Sequence, residues 1–176
     1  REWFSKYHYT GRAAGTEFFR LTSPEFEGGI VAAVAVGRGG NRFGVASKFG
    51  LEKWEGNLEV TRVACHPKAP KNTASQALAA VSAEVAARGG EWLFSYSDTA
   101  AGHHGGIYQA VNAVYVGTDA KQWVNFVLDG KRVSKRLVSG LFGTTRWPEV
   151  QDRALKAGRV LERAGWLPKL TYILVI

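Results

Sequence analysis

Apolar residues fall in short runs along the chain, and the spacing inside each run sets the element it predicts. Glu17–Leu21 reads as a short strand. Gly29–Gly37 is an almost unbroken valine-rich stretch, which fits a buried strand. Leu58–Cys65 is another strand, ended by Pro67. The loop His66–Asn72, with two prolines and two lysines, leads into a helix. Leu78, Val81 and Val85 recur there at helical spacing, Thr73 and Gln76 stand at capping-box spacing, and Gly89 offers a left-handed stop. Glu91–Tyr96 is again a strand. After the loop Ser97–Gly106 comes a short helix over Ile107–Asn112, then a strand pair around Ala113–Val116 and Trp123–Leu128. Asp129-Gly130 is a turn signal. Pro148 opens a basic helix at a permitted first-turn position, and Leu170–Ile176 closes the chain as a strand. Strands first, then strands alternating with helices, predict an α/β domain with a mixed central sheet flanked by helices. No repeat or linker interrupts it, so residues 1–176 read as one domain. The helix from Thr73 follows directly on a strand and its loop, so its free amides form a candidate anion site.

Composition narrows the class. Hydrophobic residues make up 45% and charged residues 22%, which suits a packed core and excludes a disordered tail. The lone Cys65 has no internal disulfide partner. Ile30–Val36 and Tyr172–Ile176, the longest apolar stretches, are too short to span a bilayer, and Arg1 is followed by no apolar run of a signal peptide. A cytoplasmic location without membrane contact is the expectation.

The net charge of +8 favours a polyanionic partner. Lys131, Arg132, Lys135, Arg136, Arg146, Arg153, Lys156, Arg159 and Arg163 crowd the last third, with Trp147 and Trp166 among them. Cations on phosphates and rings on bases are one reading; a solvated basic helix over core tryptophans is the other.

Several side chains carry possible chemistry. Asp98 follows a strand, where open α/β sheets place ligands, and could accept a proton from an exocyclic amine; it could equally cap a turn. Arg62 lies in a valine-rich strand and needs a partner: a donor, a phosphate, Glu59 or Asp98. His8 and Tyr9, beside Trp3, Phe4 and Tyr7, could stack on an extruded base or relay protons, or simply anchor the terminus. His103, His104, His8 and the Cys65–His66 pair match no zinc spacing.

The stretch Ser95-Tyr96-Ser97-Asp98, followed by Gly102-His103-His104-Gly105-Gly106-Ile107-Tyr108-Gln109-Ala110-Val111-Asn112, resembles the pattern of the bacteriophage Mom family, S-Y-x-D then G-H-x-G-x-I-Y-x-A-x-N. Trp3 to Arg12 with His8-Tyr9 resembles the family's N-terminal segment. Glu59 to Ser75 resembles its E-x-x-R strand, A-P-K-N loop and helix, and Lys169 to Leu174 its last strand. The resemblance implies an acetyltransferase-like (GNAT-like) fold. It implies conversion of adenine in double-stranded DNA to its N6-carbamoylmethyl form, which shields phage DNA from restriction in the host cytoplasm. It also implies that Asp98, Tyr108, Arg62, His8 and Tyr9 are catalytic, Tyr108 as the acid that protonates the leaving group. Lys71, Asn72, Thr73 and Ser75 would hold the donor, and Ser97, His103, Lys131, Arg132, Lys135, Arg136 and Arg146 would meet the DNA. For Tyr108 the bland counterpart is a core ring with a satisfied hydroxyl. The segment Lys68–Thr73 lacks the glycines of the acetyltransferase pyrophosphate loop, so the donor is either acetyl-CoA or an aminoacyl ester such as glycyl-tRNA. A glycyl group placed on N6 could rearrange through attack of its amine on ring C6. The competing readings are an N-acetyltransferase of some other amine and a non-catalytic DNA-binding protein.

Overall fold

The structure, a computed structural model, describes residues 1–38, 50, 56–118, 125–133, 135–165 and 167–176. These pack as two compact units, Arg1–Thr118 with Lys169–Ile176, and Asp119–Pro168.

The first unit holds helix α1 (Glu2–Tyr7) and strands β1 (Glu17–Thr22), β2 (Ile30–Gly37) and β3 (Leu58–Cys65). Helix α2 (Thr73–Ala87), strand β4 (Trp92–Asp98), the short helix α3 (Gly106–Gln109), strand β5 (Val114–Thr118) and the last strand, β9 (Lys169–Val175), complete it. The sheet order is β1-β2-β3-β4-β9-β5. Every neighbouring pair is antiparallel except β3 and β4, which run parallel. The expected mixed central sheet flanked by helices is therefore what the chain forms.

Burial explains why β2 is apolar without a break. Ala32, Val34 and Val36 pack with Leu78, Val81 and Val85 of α2, while Ala33 and Ala35 pack with Phe4 of α1 and Ala64. A strand covered on both faces loses the polar alternation of a half-exposed one. Each such valine or leucine contributes roughly 1.5–3 kcal/mol.

Two expectations need correction. The capping box does not form: Asn72, at φ 70°, precedes α2 and makes no side-chain cap. Thr73 instead donates back to the Pro70 carbonyl at 2.7 Å, and Ser75 to that of Asn72 at 2.9 Å. Hydroxyls at a helix start can bond backward as readily as they cap, and the local loop decides which. Gly89 does take the left-handed conformation, at φ 81°. Second, the strands near 113–116 and 123–128 do not pair. β5 lies against β9 in the large sheet, and Asn125–Leu128 belongs to the second unit. Neighbours in sequence need not be neighbours in a sheet when another strand offers a better apolar match. Residues 123 and 124 lie outside the described set.

The second unit contains strands β6 (Asn125–Leu128) and β7 (Lys131–Val133), helices α4 (Lys135–Phe142) and α5 (Glu149–Lys156), and strand β8 (Leu161–Ala164). Its three-stranded sheet has the order β7-β6-β8. Phe126, Leu128, Val138, Phe142, Val150, Ala154 and Leu161 form its core. Asp129 and Gly130, both at positive φ, make the predicted turn. No described helix is long and apolar enough to cross a membrane.

Candidate active site

The parallel pairing of β3 with β4 covers only Leu58–Val60 against Leu93–Ser95. Beyond it β3 continues to Cys65 and β4 to Asp98, so the strands part and open a wedge between them. A bulge in β3 lies at the same level. Ala35 faces Arg62 but Val36 faces Val60, which leaves Thr61 as the extra residue. The Thr61 hydroxyl pins the bulge, within bonding reach of the Ala35 carbonyl at 3.0 Å and of the Ala14 carbonyl. The extra residue re-aims the side chain that follows, as bulges do beside functional sites.

That side chain is Arg62, half-buried. Its Nη1 donates to the Thr61 carbonyl, whereas its buried Nε has no partner among the described residues. Burial holds the guanidinium below its ordinary pKa, and Tyr9 opposes the shift. The hydrogen-bond partner found is thus a backbone carbonyl and none of those anticipated from sequence, and among the described residues the buried Nε–H is left without one.

His8, Tyr9, Asp98 and His103 gather in the same neighbourhood. The Tyr9 hydroxyl donates to Asp98 Oδ2 at 3.4 Å. The Tyr9 ring lies 4.5 Å from that of His8 and meets His103 edge-on at 5.0 Å. Asp98 also caps a 3-10 turn, accepting from the Ala100 amide at 3.0 Å. The turn-capping reading of this aspartate is thus met by one oxygen, while the other faces the Tyr9 hydroxyl. Burial, and after it the Asp98 charge, push the Tyr9 phenol up to about 12. Burial, then Arg62 and His103, push His8 down to about 4. At neutral pH Tyr9 keeps its proton and His8 is uncharged.

Tyr108 sits at the apex of the wedge. Ser95 donates to the Val60 carbonyl at 2.8 Å, at the last paired rung. Its single proton is thereby used, so the 2.7 Å contact with Tyr108 has the phenol donating to Ser95. Tyr108 is buried, at 8% exposure, and stacks on Tyr172 with centroids 5.1 Å apart. Burial raises its pKa. Gly105 makes the stack possible: a β-carbon there would lie 2.1 Å from the Tyr172 hydroxyl oxygen. Ser97 is buried within β4.

On the α2 side of the wedge lies an open cleft of about 330 Å³, lined by Cys65, His66, Asn72, Thr73, Ser75, the α3 residues Gly106 and Ile107, and Ala110 just after α3, among others. Three of the four expected donor-binding residues therefore share one cleft; Lys71 is exposed beside Asn72 and does not line it. The first intrahelical bond runs from Gln76 N–H to the Asn72 carbonyl, so the Ala74 and Ser75 amides precede the ladder.

A family model matches residues 1–176 in full. The chain belongs to the Mom protein family. Membership in the Mom family supports a modification or group-transfer role. No curated protein matches the chain. Among solved structures it is similar to an N-acetyltransferase from Staphylococcus aureus Mu50, with 15% identity and a TM-score of 0.43, covering 86% of this chain and 64% of that one. It spans, then, less than two thirds of that protein's length. It is also similar to an agmatine N-acetyltransferase variant in its apo form, with 14% identity, a TM-score of 0.44 and coverage of 86% and 73%. A Drosophila melanogaster polyamine N-acetyltransferase that forms N-acetylagmatine stands at 14%, 0.42, 86% and 72%.

The remaining expected residues lie in the second unit. Lys131 and Arg132 are exposed on β7, Lys135 starts α4, and Arg146 is exposed before α5. The Arg136 side chain and Trp166 lie outside what is described. Acids neutralise some neighbours: Arg153 pairs with Glu149 at 2.7 Å, Lys156 with Asp152 at 2.7 Å, and Arg159 with Asp129. Arg163 lies over the Trp147 ring at 5.9 Å. Lys131, Arg132, Lys135 and Arg146 have no acidic partner among the described residues.

Sequence reasoning assigned no role to Ser95, Tyr172, Thr61 or Thr10. Ser95 stood inside the motif, and its place at the end of a short parallel pairing is visible only in three dimensions.

Proposed function

We propose that this chain is a transferase that modifies adenine in double-stranded phage DNA, placing an acyl or aminoacyl group on the exocyclic N6, with carbamoylmethyl as the group finally left there. The observation that carries the reading is the convergence of His8, Tyr9, Arg62, Asp98 and His103, from separate stretches of chain, in one neighbourhood. Membership of the Mom family adds to it.

In this reading the N6 nitrogen attacks the carbonyl carbon of an activated ester. The C–N bond forms as the bond to the leaving oxygen breaks. Asp98 accepts the proton lost from N6, and Tyr108 turns from Ser95 to give a proton to the leaving oxygen; exchange with water resets both. Arg62, whose Nε has no partner among the described residues, and the protonated Tyr9 offer donors where negative charge develops on the acyl oxygen. With a glycyl ester, such as glycyl-tRNA, the new amine attacks ring C6. The C6–N6 bond then breaks, and the former N6 becomes the carboxamide nitrogen. That step is an isomerisation and conserves every atom. The α2 cleft holds the donor through Asn72, Thr73 and Ser75, with Lys71 at its edge.

The target base must leave the duplex, at roughly a few kcal/mol. Tyr9, 55% exposed, suits stacking on it, and His103 stands beside Asp98, its amide donating to the Asp98 carbonyl at 3.2 Å. Lys131, Arg132, Lys135, Arg136 and Arg146 bind phosphates.

Mass spectrometry of nucleosides from DNA co-expressed with the chain tests this. An adenosine carrying carbamoylmethyl on N6 is expected. Unmodified DNA together with acetylation of a free amine would replace the reading with an ordinary N-acetyltransferase. Salt-dependent DNA binding with neither product would make the chain a non-catalytic binder.

A further inference from the structure

His8 is held from one side by a single residue. Its Nδ1 lies 3.2 Å from the Thr10 amide nitrogen and 2.8 Å from the Thr10 hydroxyl. A backbone amide can only donate, so Nδ1 is an acceptor and carries no proton. The hydroxyl then also donates to Nδ1, in preference to the Arg12 carbonyl, which is 3.4 Å away. In the uncharged ring the proton must be on Nε2. Two donors from one residue converge on the single lone pair of Nδ1 and fix the tautomer and the ring plane, which lies against Tyr9.

We propose that Thr10 is a positioning residue that locks His8 with its proton on Nε2, so that His8 serves the transfer as a hydrogen-bond donor to the acyl oxygen and not as a base. This rests on the transferase reading given above. The surroundings agree. Arg62 on β3 and His103 beside Asp98 both disfavour a second proton on the ring, and together with burial they keep it neutral at pH 7. Tyr9, which lies against the ring, is itself protonated at that pH and offers no negative charge to draw a proton onto His8. A neutral imidazole whose Nδ1 is already occupied has no lone pair to offer at Nε2. It can donate there and cannot accept, and a neutral donor needs no charge rearrangement as the oxyanion forms.

The test has two arms on the full chain. Long-range nitrogen–proton NMR of the histidine rings, without substrate, is expected to show His8 protonated on Nε2 in the wild type. Thr10→Val removes the hydroxyl but keeps the size and the backbone amide, so one of the two donors to Nδ1 is lost; the share of His8 protonated on Nδ1 should rise, and Thr10→Ser should restore the wild-type spectrum. In the modification assay Thr10→Val should lower kcat roughly ten-fold, the worth of one hydrogen bond, with KM unchanged, and Thr10→Ser should recover it. His8→Gln keeps an N–H and has no basic nitrogen, so it should retain clearly more activity than His8→Ala. A wild-type His8 protonated on Nδ1, or His8→Gln no better than His8→Ala, overturns the proposal. If the wild type modifies no DNA, the transferase reading fails and the donor role with it. The NMR arm still decides separately whether Thr10 holds the ring.

Discussion

Replacing Tyr108 by phenylalanine deletes one hydroxyl at the apex of the wedge and keeps the ring on Tyr172. The stability cost follows from the bonding pattern. Ser95 keeps its donor bond to the Val60 carbonyl and loses only the proton it was accepting. No buried donor is stranded, so the loss is that of one net hydrogen bond, about 1 kcal/mol. For a chain of this size that lowers Tm by about 2–4 °C, and against a typical stability of about 5–15 kcal/mol the protein stays folded at 25 °C. Loss of a positioned proton donor, by contrast, lowers turnover by about two to four orders of magnitude. The two effects differ so much that one preparation separates them. Modification rate, by nucleoside mass spectrometry, is set beside Tm on the same sample, and DNA affinity should not change. A rate close to wild type with a Tm lowered by a few degrees would refute the acid role and leave Tyr108 as packing alone.

Other expectations follow from the same geometry. Asp98→Asn keeps an acceptor for the Ala100 amide and removes the charge, so modification should vanish while Tm moves little; retained activity would take Asp98 out of the chemistry. Changing Lys131, Arg132, Lys135 and Arg146 together to alanine should flatten the log–log salt dependence of DNA binding by about 0.9 for each phosphate no longer neutralised, and an unchanged slope would place the DNA elsewhere. Gly105→Ala should destabilise by roughly 2 kcal/mol or more, because its β-carbon overlaps the Tyr172 hydroxyl and φ is 81°; a wild-type melting curve would contradict the packing at α3. The depressed His8 pKa sets a pH window. As pH falls from 6.5 towards 4 the unfolded chain takes up a proton that folded His8 refuses, so stability drops across that range. Half-exposure of the ring reduces the effect, and His8→Gln should show a shallower fall in Tm between those pH values, measured against the wild type.

Local pattern was enough for elements whose signal is contained in their own residues. β2 follows from a valine-rich run, α2 from the spacing of Leu78, Val81 and Val85, and the turn at Asp129-Gly130 from two residues that tolerate positive φ. Helix α1, β7, α4 and β8 escaped, because six, three, eight and four residues are too few to establish a period, and β8 carries Glu162 and Arg163 on so short a run. The motif residues could be singled out as chemistry-bearing from sequence, yet their meeting could not. Tyr9 and Asp98 are 89 positions apart, and only the sheet brings their oxygens to 3.4 Å. Partner choice for β5, the bulge at Thr61 that turns Arg62, the burial of Tyr108 and the low pKa of His8 are likewise decided by tertiary structure. Strand pairing, desolvation and Coulomb interaction act through space, and the order of residues along a chain records the groups involved without recording the distances between them.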